Sequence, residues 1–167
     1  YCVTNLVSDT SVLLYLGRIQ HLDLLDTLFT NILIPQAVLS ELDVGRTLRA
    51  DTVNPRHFAW MQIVKVSIEE IAQLPSNTLG AGEQAVIAYT RRTTDSLAGL
   101  DDKLARQLAQ YLRIDVIGLI GILIKAKRAG AIPQVRPLLD YLRIEGFRLH
   151  QNVYQEALYL SQETSKE

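Results

Sequence analysis

Five acidic residues stand out for the chemistry they could share: Asp9 in Ser8-Asp9-Thr10-Ser11, Glu41 in Glu41-Leu42-Asp43, Glu83 in Gly82-Glu83-Gln84, and the adjacent pair Asp101-Asp102. Ionised carboxylates a few ångströms apart repel, and each would rather hold a proton. A hard divalent cation removes that penalty. Mg2+ prefers oxygen donors, keeps several waters, and binds through one or two carboxylates together with substrate phosphate. A bound cation activates water and stabilises charge on a phosphodiester during in-line displacement, so no side-chain nucleophile is required. The rest of the sequence is consistent with that chemistry. His21, His57 and His150 have no metal-ligand spacing, and Cys2 has no evident His partner. Neither G-x-x-x-x-G-K-S/T nor G-x-G-x-x-G occurs, so triphosphate- and dinucleotide-binding readings lack their phosphate cradle.

Each acid also has an ordinary structural account. Asp9, and Asp101 or Asp102, could cap the helix that follows. Glu83 in a first helical turn gains from the helix dipole. Glu41 could be a solvated surface side chain. What separates the two accounts is whether the fold gathers these residues.

The chain alternates short apolar runs with helical periodicity. Strands are expected at residues 3–8, 32–34, 63–66, 96–100 and 115–118. Helices are expected at 10–19 and 22–29, and from Pro35 to near Gly45, with Pro35 in the opening position. A polar stretch over 47–60 reads as helix plus loop. Ser67 and Glu70 have capping-box spacing and start a short helix. A loop over 75–80 precedes helices at 82–92, 103–112, 119–129, 135–145 and 151–162, with Gly130 and Gly146 as stops. Repeated strand–helix–strand order predicts a central parallel sheet with helices on both faces. Asp9 and Asp101-Asp102 then follow strands at one sheet edge, where open α/β sheets bind ligands. Gly99 is unusual inside a strand and suggests close approach of backbone or substrate.

At 167 residues, 48% hydrophobic and 21% charged, the chain has the size and composition of one compact domain, expected to cover residues 1–167. The helices from about residue 135 are expected to pack on it or to form an interaction face. One cysteine allows no internal disulfide, and no basic leader with an apolar segment is visible, so a reducing, cytoplasmic setting is expected. Charges or prolines interrupt each apolar run, so no membrane span is expected. The net charge of −1 hides an asymmetry: residues 1–83 are predominantly acidic and residues 84–150 predominantly basic. That distribution suits a metal site beside a phosphate-binding face. Arg91, Arg92, Lys103, Arg106, Lys125, Lys127 and Arg128 could contact phosphates, and Lys103 and Arg106 are best placed beside the Asp pair. Aromatics are sparse, at 7%, and no strand interleaves them with basic residues for base stacking.

Four segments in order resemble the motifs of PIN domains, the fold of VapC-type toxins. Val7-Ser8-Asp9-Thr10-Ser11-Val12-Leu13 resembles the first, and 33–42, ending in Ser40-Glu41-Leu42, resembles the second. Gly80-Ala81-Gly82-Glu83-Gln84-Ala85-Val86-Ile87-Ala88 is similar to the third motif of a branch of uncharacterised prokaryotic PIN-like proteins, with Glu where many toxins have Asp. Leu100-Asp101-Asp102-Lys103-Leu104-Ala105-Arg106 resembles the fourth, and the run 118–133 also looks like that branch. The resemblance extends over roughly residues 5–160.

The resemblance implies a three-layer α/β/α fold and a Mg2+- or Mn2+-dependent nuclease, usually cutting RNA to a 3′-hydroxyl and a 5′-phosphate. It implies a homodimer commonly, and for many members the role of toxin with an antitoxin protein as partner. Carried over by motif, Asp9, Glu41, Glu83 and Asp102 are the metal-site acids, with Asp101 as the alternative for the fourth, and Thr10 or Ser11 supports them by hydrogen bonding. Leu100 stands where many toxins have Thr, and the two consecutive aspartates leave the register of the fourth motif open. The competing reading is a non-catalytic PIN-like module that binds RNA or protein. A haloacid-dehalogenase-type phosphatase would need Asp two residues after Asp9, where Ser11 stands, and the arrangement of a receiver domain is absent.

Overall fold

A computed structural model describes residues 4–76 and 78–164. Cys2 and the expected strand start at Val3 lie outside the described residues, as does Asn77 of the expected 75–80 loop. Among the described residues, five strands form one parallel sheet: β1 (Asn5–Ser8), β2 (Ile32–Pro35), β3 (Met61–Val64), β4 (Ser96–Gly99) and β5 (Val116–Ile117), in the order β3-β2-β1-β4-β5. Parallel neighbours cannot be joined by a tight hairpin, so each crossover carries helix. Helices α1 (Thr10–Arg18) and α2 (Asp23–Leu28) join β1 to β2. Helix α3 (Gln36–Leu48) and a 3-10 turn (Pro55–His57) lead to β3. Helices α4 (Ile68–Ala72) and α5 (Ala81–Arg92) lead to β4, and α6 (Lys103–Tyr111) leads to β5. Helices α7 (Leu119–Arg128), α8 (Arg136–Ile144) and α9 (Gln151–Leu160) follow β5. The result is the three-layer α/β/α arrangement, with the sheet between helices.

The central strands carry near-continuous apolar runs because both faces are covered. Leu6, Val7, Ile32, Leu33, Ile34 and Ala98 are all buried. Helix α1 follows the 3.6-residue period, burying Val12, Leu13 and Leu16. Helix α4 starts with the capping box formed by Ser67 and Glu70. Apolar residues of α8 (Leu138, Leu139, Leu142) and α9 (Tyr154, Ala157, Leu158) join the same hydrophobic core as the strands. Among the described residues, no helix is long and apolar enough to cross a membrane.

Several boundaries differ from expectation, for identifiable reasons. Pro35 does not open a helix. It closes β2, paired with Val64 and with extended backbone at ψ 144°, and α3 begins one residue later. Gly45 does not end α3, which continues to Leu48. A β-carbon at Gly45 would lie 3.4 Å from Thr52 Cγ2, so the glycine makes room for the returning chain. The 47–60 stretch resolves into the last residues of α3 and the 3-10 turn. Gly99 serves backbone approach: a β-carbon there would lie 3.2 Å from Leu6 Cδ1, 3.3 Å from Ser8 Cα and 3.4 Å from the Val7 carbonyl oxygen.

Candidate functional site

The carboxyl ends of β1 and β4 lie side by side, with Ser8 opposite Gly99. The Asp9 amide donates to the Gly99 carbonyl at 3.0 Å, and the Leu100 amide donates to the Ile117 carbonyl at 3.0 Å. Asp9 and Leu100-Asp101 therefore leave the sheet at one edge. Strand order reverses at the same place, since β2 and β3 lie on one side of β1 and β4 and β5 on the other. Such switch points are where open α/β sheets bind ligands.

Asp9 caps α1, its Oδ1 accepting the Val12 amide at 3.0 Å. It is only 3% exposed. Burial pushes its carboxyl up to about 8, against the lowering effect of the Val12 hydrogen bond, and the charges of Asp101 and Glu83 push it in the same direction as burial. Capping explains the position of Asp9 but not its burial beside other acids, because an exposed cap would stay ionised at little cost.

Glu41 is an exposed residue of α3, yet both its oxygens are engaged. Oε2 accepts from the Thr10 hydroxyl, and Oε1 accepts the Gly82 amide at 2.9 Å. Its carboxylate thereby ties α3 to the first turns of α1 and α5. A β-carbon at Gly82 would lie 2.6 Å from Glu41 Oε2, so the carboxylate occupies the space left by the missing side chain. Glu83, half-buried on the next position of α5, turns Oε2 back to the Gly80 amide at 3.0 Å. Burial raises its carboxyl above the usual range, the Gly80 bond opposes this, and the charges of Asp102 and Glu41 add to it.

The consecutive aspartates divide their roles. Asp101 Oδ1 accepts the Leu119 amide at 2.9 Å at the start of α7, while Oδ2 is buried without a hydrogen-bond partner. Burial pushes this carboxyl up, opposed by the Leu119 bond and by Arg106. Asp102 is exposed and caps α6, accepting the Ala105 amide at 2.9 Å. The charge of Asp101 acts on Asp9, and that of Asp102 acts on Glu83. All five acids thus lie in one electrostatic neighbourhood, drawn from two strand ends and from α3, α5 and the start of α6.

The other candidate residues fall around this cluster. Thr10 touches Glu41 directly, whereas the half-buried Ser11 makes no side-chain hydrogen bond among the described residues. Lys103 is exposed in the first turn of α6 and has no side-chain partner among the described residues. Arg106 is half-buried and donates through Nη1 to the Leu100 carbonyl at 2.9 Å. Sequence reasoning missed the backbone donors Gly82 and Leu119. Both amides belong to first helical turns, whose N–H groups have no partner within the helix. That rule identifies them as free donors but does not say which carboxylate each would meet.

Among the described residues, no group of three His, Cys, Asp or Glu side chains is arranged to hold a metal ion by itself. The donors nonetheless suit a hard cation that keeps part of its water shell and takes one or two carboxylates. Every candidate ligand is an oxygen. Asp101 Oδ2 is buried and unpartnered, a condition that costs about 1–3 kcal/mol when nothing compensates it. Asp9 with Asp101 or Asp102 would be the holding pair, with Glu83 and Glu41 beside them.

No curated protein matches the chain. The family model DUF3368, described as a PIN domain, matches residues 5–163. That span takes in all five acids and every strand and helix that positions them. With the parallel three-layer fold and the acids at its switch point, the chain belongs to the PIN domain family, whose members are in general nucleases.

Proposed function

We propose that this chain is a Mg2+- or Mn2+-dependent endoribonuclease whose acidic site comprises Asp9, Glu41, Glu83 and the Asp101-Asp102 pair. The reading is carried by one observation: a buried Asp9 carboxyl stands at the sheet's switch point, where the charges of Asp101 and Glu83 add to the cost of ionising it. A bound Mg2+ or Mn2+ would supply Lewis acidity and an activated water. Asp9 would hold the negative charge that anchors this chemistry, fixed in place by the Val12 amide. Asp101, oriented by the Leu119 amide, would present its free oxygen, and Asp102 is the other choice for the same role. Glu41, pinned by Thr10 and Gly82, would orient water between α3 and α5. Glu83, with its raised carboxyl, is suited to take the proton of the attacking water. Water adds to phosphorus, the bond from phosphorus to the 3′-oxygen breaks, and that oxygen takes a proton, leaving a 3′-hydroxyl and a 5′-phosphate.

Within this reading the enzyme acts on cytoplasmic RNA as a homodimer and is the toxin of a toxin–antitoxin pair. A small antitoxin-type reading frame beside its gene and a dimer mass in solution are the checks on those roles. The direct test is calorimetry with Mn2+ and cleavage of single-stranded RNA by the wild type and Asp9→Asn. Mn2+ should bind the wild type, and the variant should cleave at least about a hundredfold more slowly, as expected when several kcal/mol of charge stabilisation are lost. No binding at millimolar Mn2+ would favour a non-catalytic RNA- or protein-binding module. Full cleavage by Asp9→Asn would remove Asp9 from the mechanism.

A further inference from the structure

Asp101 also lines a cavity of about 420 Å³, formed where the end of β5 and the start of α7 meet the segment joining α8 to α9. The volume falls in the range of small-ligand sites, roughly 300–1,000 Å³. Its polar wall carries Arg106, Arg148 and His150, and its apolar wall includes Ile117, Phe147 and Val153. Arg106 commits Nη1 to the Leu100 carbonyl. Arg148 and His150 are exposed, and neither side chain has a polar partner among the described residues. The one acid on the wall, Asp101, accepts the Leu119 amide through Oδ1 while its unpartnered Oδ2 is buried, so one carboxylate stands against two guanidinium groups. The balance of available groups therefore favours an anion.

The cavity is also built rather than incidental. A β-carbon at Gly118 would lie 2.7 Å from Arg106 Nη1 and 2.8 Å from Asp101 Oδ1, so the glycine leaves room for both side chains at the wall. The segment carrying Arg148 is held from several sides. Gly146 turns the chain after α8 at φ +91°, a conformation that L side chains rarely adopt. The Phe147 amide donates to the Leu142 carbonyl at 2.9 Å, and the Phe147 ring packs edge-on against Tyr15 at 5.0 Å. The Tyr15 hydroxyl donates to the Gly146 carbonyl at 3.4 Å. Tyr15 belongs to α1, the helix capped by Asp9, so one helix braces both the cavity wall and the acid site.

We infer that this cavity is a nucleotide subsite, holding the residue of a single-stranded RNA next to the phosphodiester that is cut. Its base packs on the apolar wall and its phosphate meets Arg148 and Arg106. The inference rests on the ribonuclease reading, since Asp101 is the wall that the cavity and the acid site share. A single-stranded oligoribonucleotide of about ten residues, within the usual site sizes, serves as the probe in fluorescence anisotropy with EDTA present, so that no metal takes part. Arg148→Ala should weaken binding about tenfold and flatten the salt dependence by about one phosphate contact. Val153→Trp, which fills the cavity from an exposed position on α9, should weaken binding without changing the salt slope. Wild-type affinity and wild-type salt slope in both variants would overturn the subsite, and so would a wild type that does not bind the oligonucleotide. If the variants bind normally while Mn2+-dependent cleavage persists, the subsite fails and the nuclease reading stands. If Arg148→Ala weakens binding but Mn2+ neither binds nor supports cleavage, the nuclease reading is the one that fails.

Discussion

Gly82 donates its amide to Glu41 Oε1, and any β-carbon there would lie 2.6 Å from Oε2 and 2.9 Å from Oε1. The obstructing atoms are the end of a flexible, exposed side chain, so Glu41 would give way rather than α5. Alanine is also the better helix former by about 1 kcal/mol. Gly82→Ala should therefore melt at the wild-type temperature or slightly above it, while Mn2+ affinity and cleavage fall about tenfold, a loss of about 1.4 kcal/mol. Thermal melts and calorimetry on one preparation check both halves, and undiminished Mn2+ binding would mean that the placement of Glu41 does not matter to the site. The same contacts show what was legible residue by residue. The acids could be found because Asp9 and the Asp pair follow apolar runs and Glu83 opens a helix. Their partners could not, because the amides of Gly82 and Leu119 leave no side-chain signature. Arg148 was invisible for a different reason: only the turn at Gly146 brings it to the wall that Asp101 shares. The choice between Asp101 and Asp102 was equally hidden, since it depends on which one caps α6 and which one is buried against α7.

Among the elements, five short strands were readable from apolar runs, and the helices between them from their period. Boundaries failed where a tertiary contact overrode a local rule. Pro35 extends β2 because it pairs with Val64, and Gly45 stays helical because Thr52 packs over it. Gly99 is the same effect at the site itself. Strand propensity alone says that valine at this position would help β4. Packing says the opposite, because the β-carbon would press on Ser8 Cα and the Val7 carbonyl, which are backbone and cannot rotate away. Gly99→Val should cost about 1–3 kcal/mol, as overpacking does. Because the displaced backbone is the end of β1, it should also separate Asp9 from Asp101 and weaken Mn2+ binding. Urea denaturation with an unchanged slope reads the first effect. A stabilised variant would mean that β1 and β4 have room between them.

Across the whole molecule, folding gathers carboxylates that stand far apart in the unfolded chain, and the consequence is a dependence of stability on pH. Asp9 goes from an ordinary value of 3.8 to about 8 on folding, and Glu83 and Asp101 move in the same direction. Because the folded state favours the protonated form, the contribution of Asp9 is fully present below pH 3.8 and is lost as pH rises towards about 8. Without metal, stability should fall across that window by up to about 1.4 kcal/mol per pH unit from this group. Asp9→Asn carries a neutral side chain of the same shape and escapes that loss, so in EDTA its melting temperature should overtake the wild type's between about pH 5 and pH 8. Mn2+ reverses the trend in the wild type. Only the ionised carboxylates bind it, so the rise in melting temperature on adding Mn2+ should grow with pH over the same range. In Asp9→Asn that rise should be small at every pH. The two experiments separate burial from cation capture. A crossing in EDTA without any Mn2+ effect would leave Asp9 as a buried helix cap only, whereas parallel curves in EDTA would mean that the folded protein does not raise the Asp9 carboxyl at all.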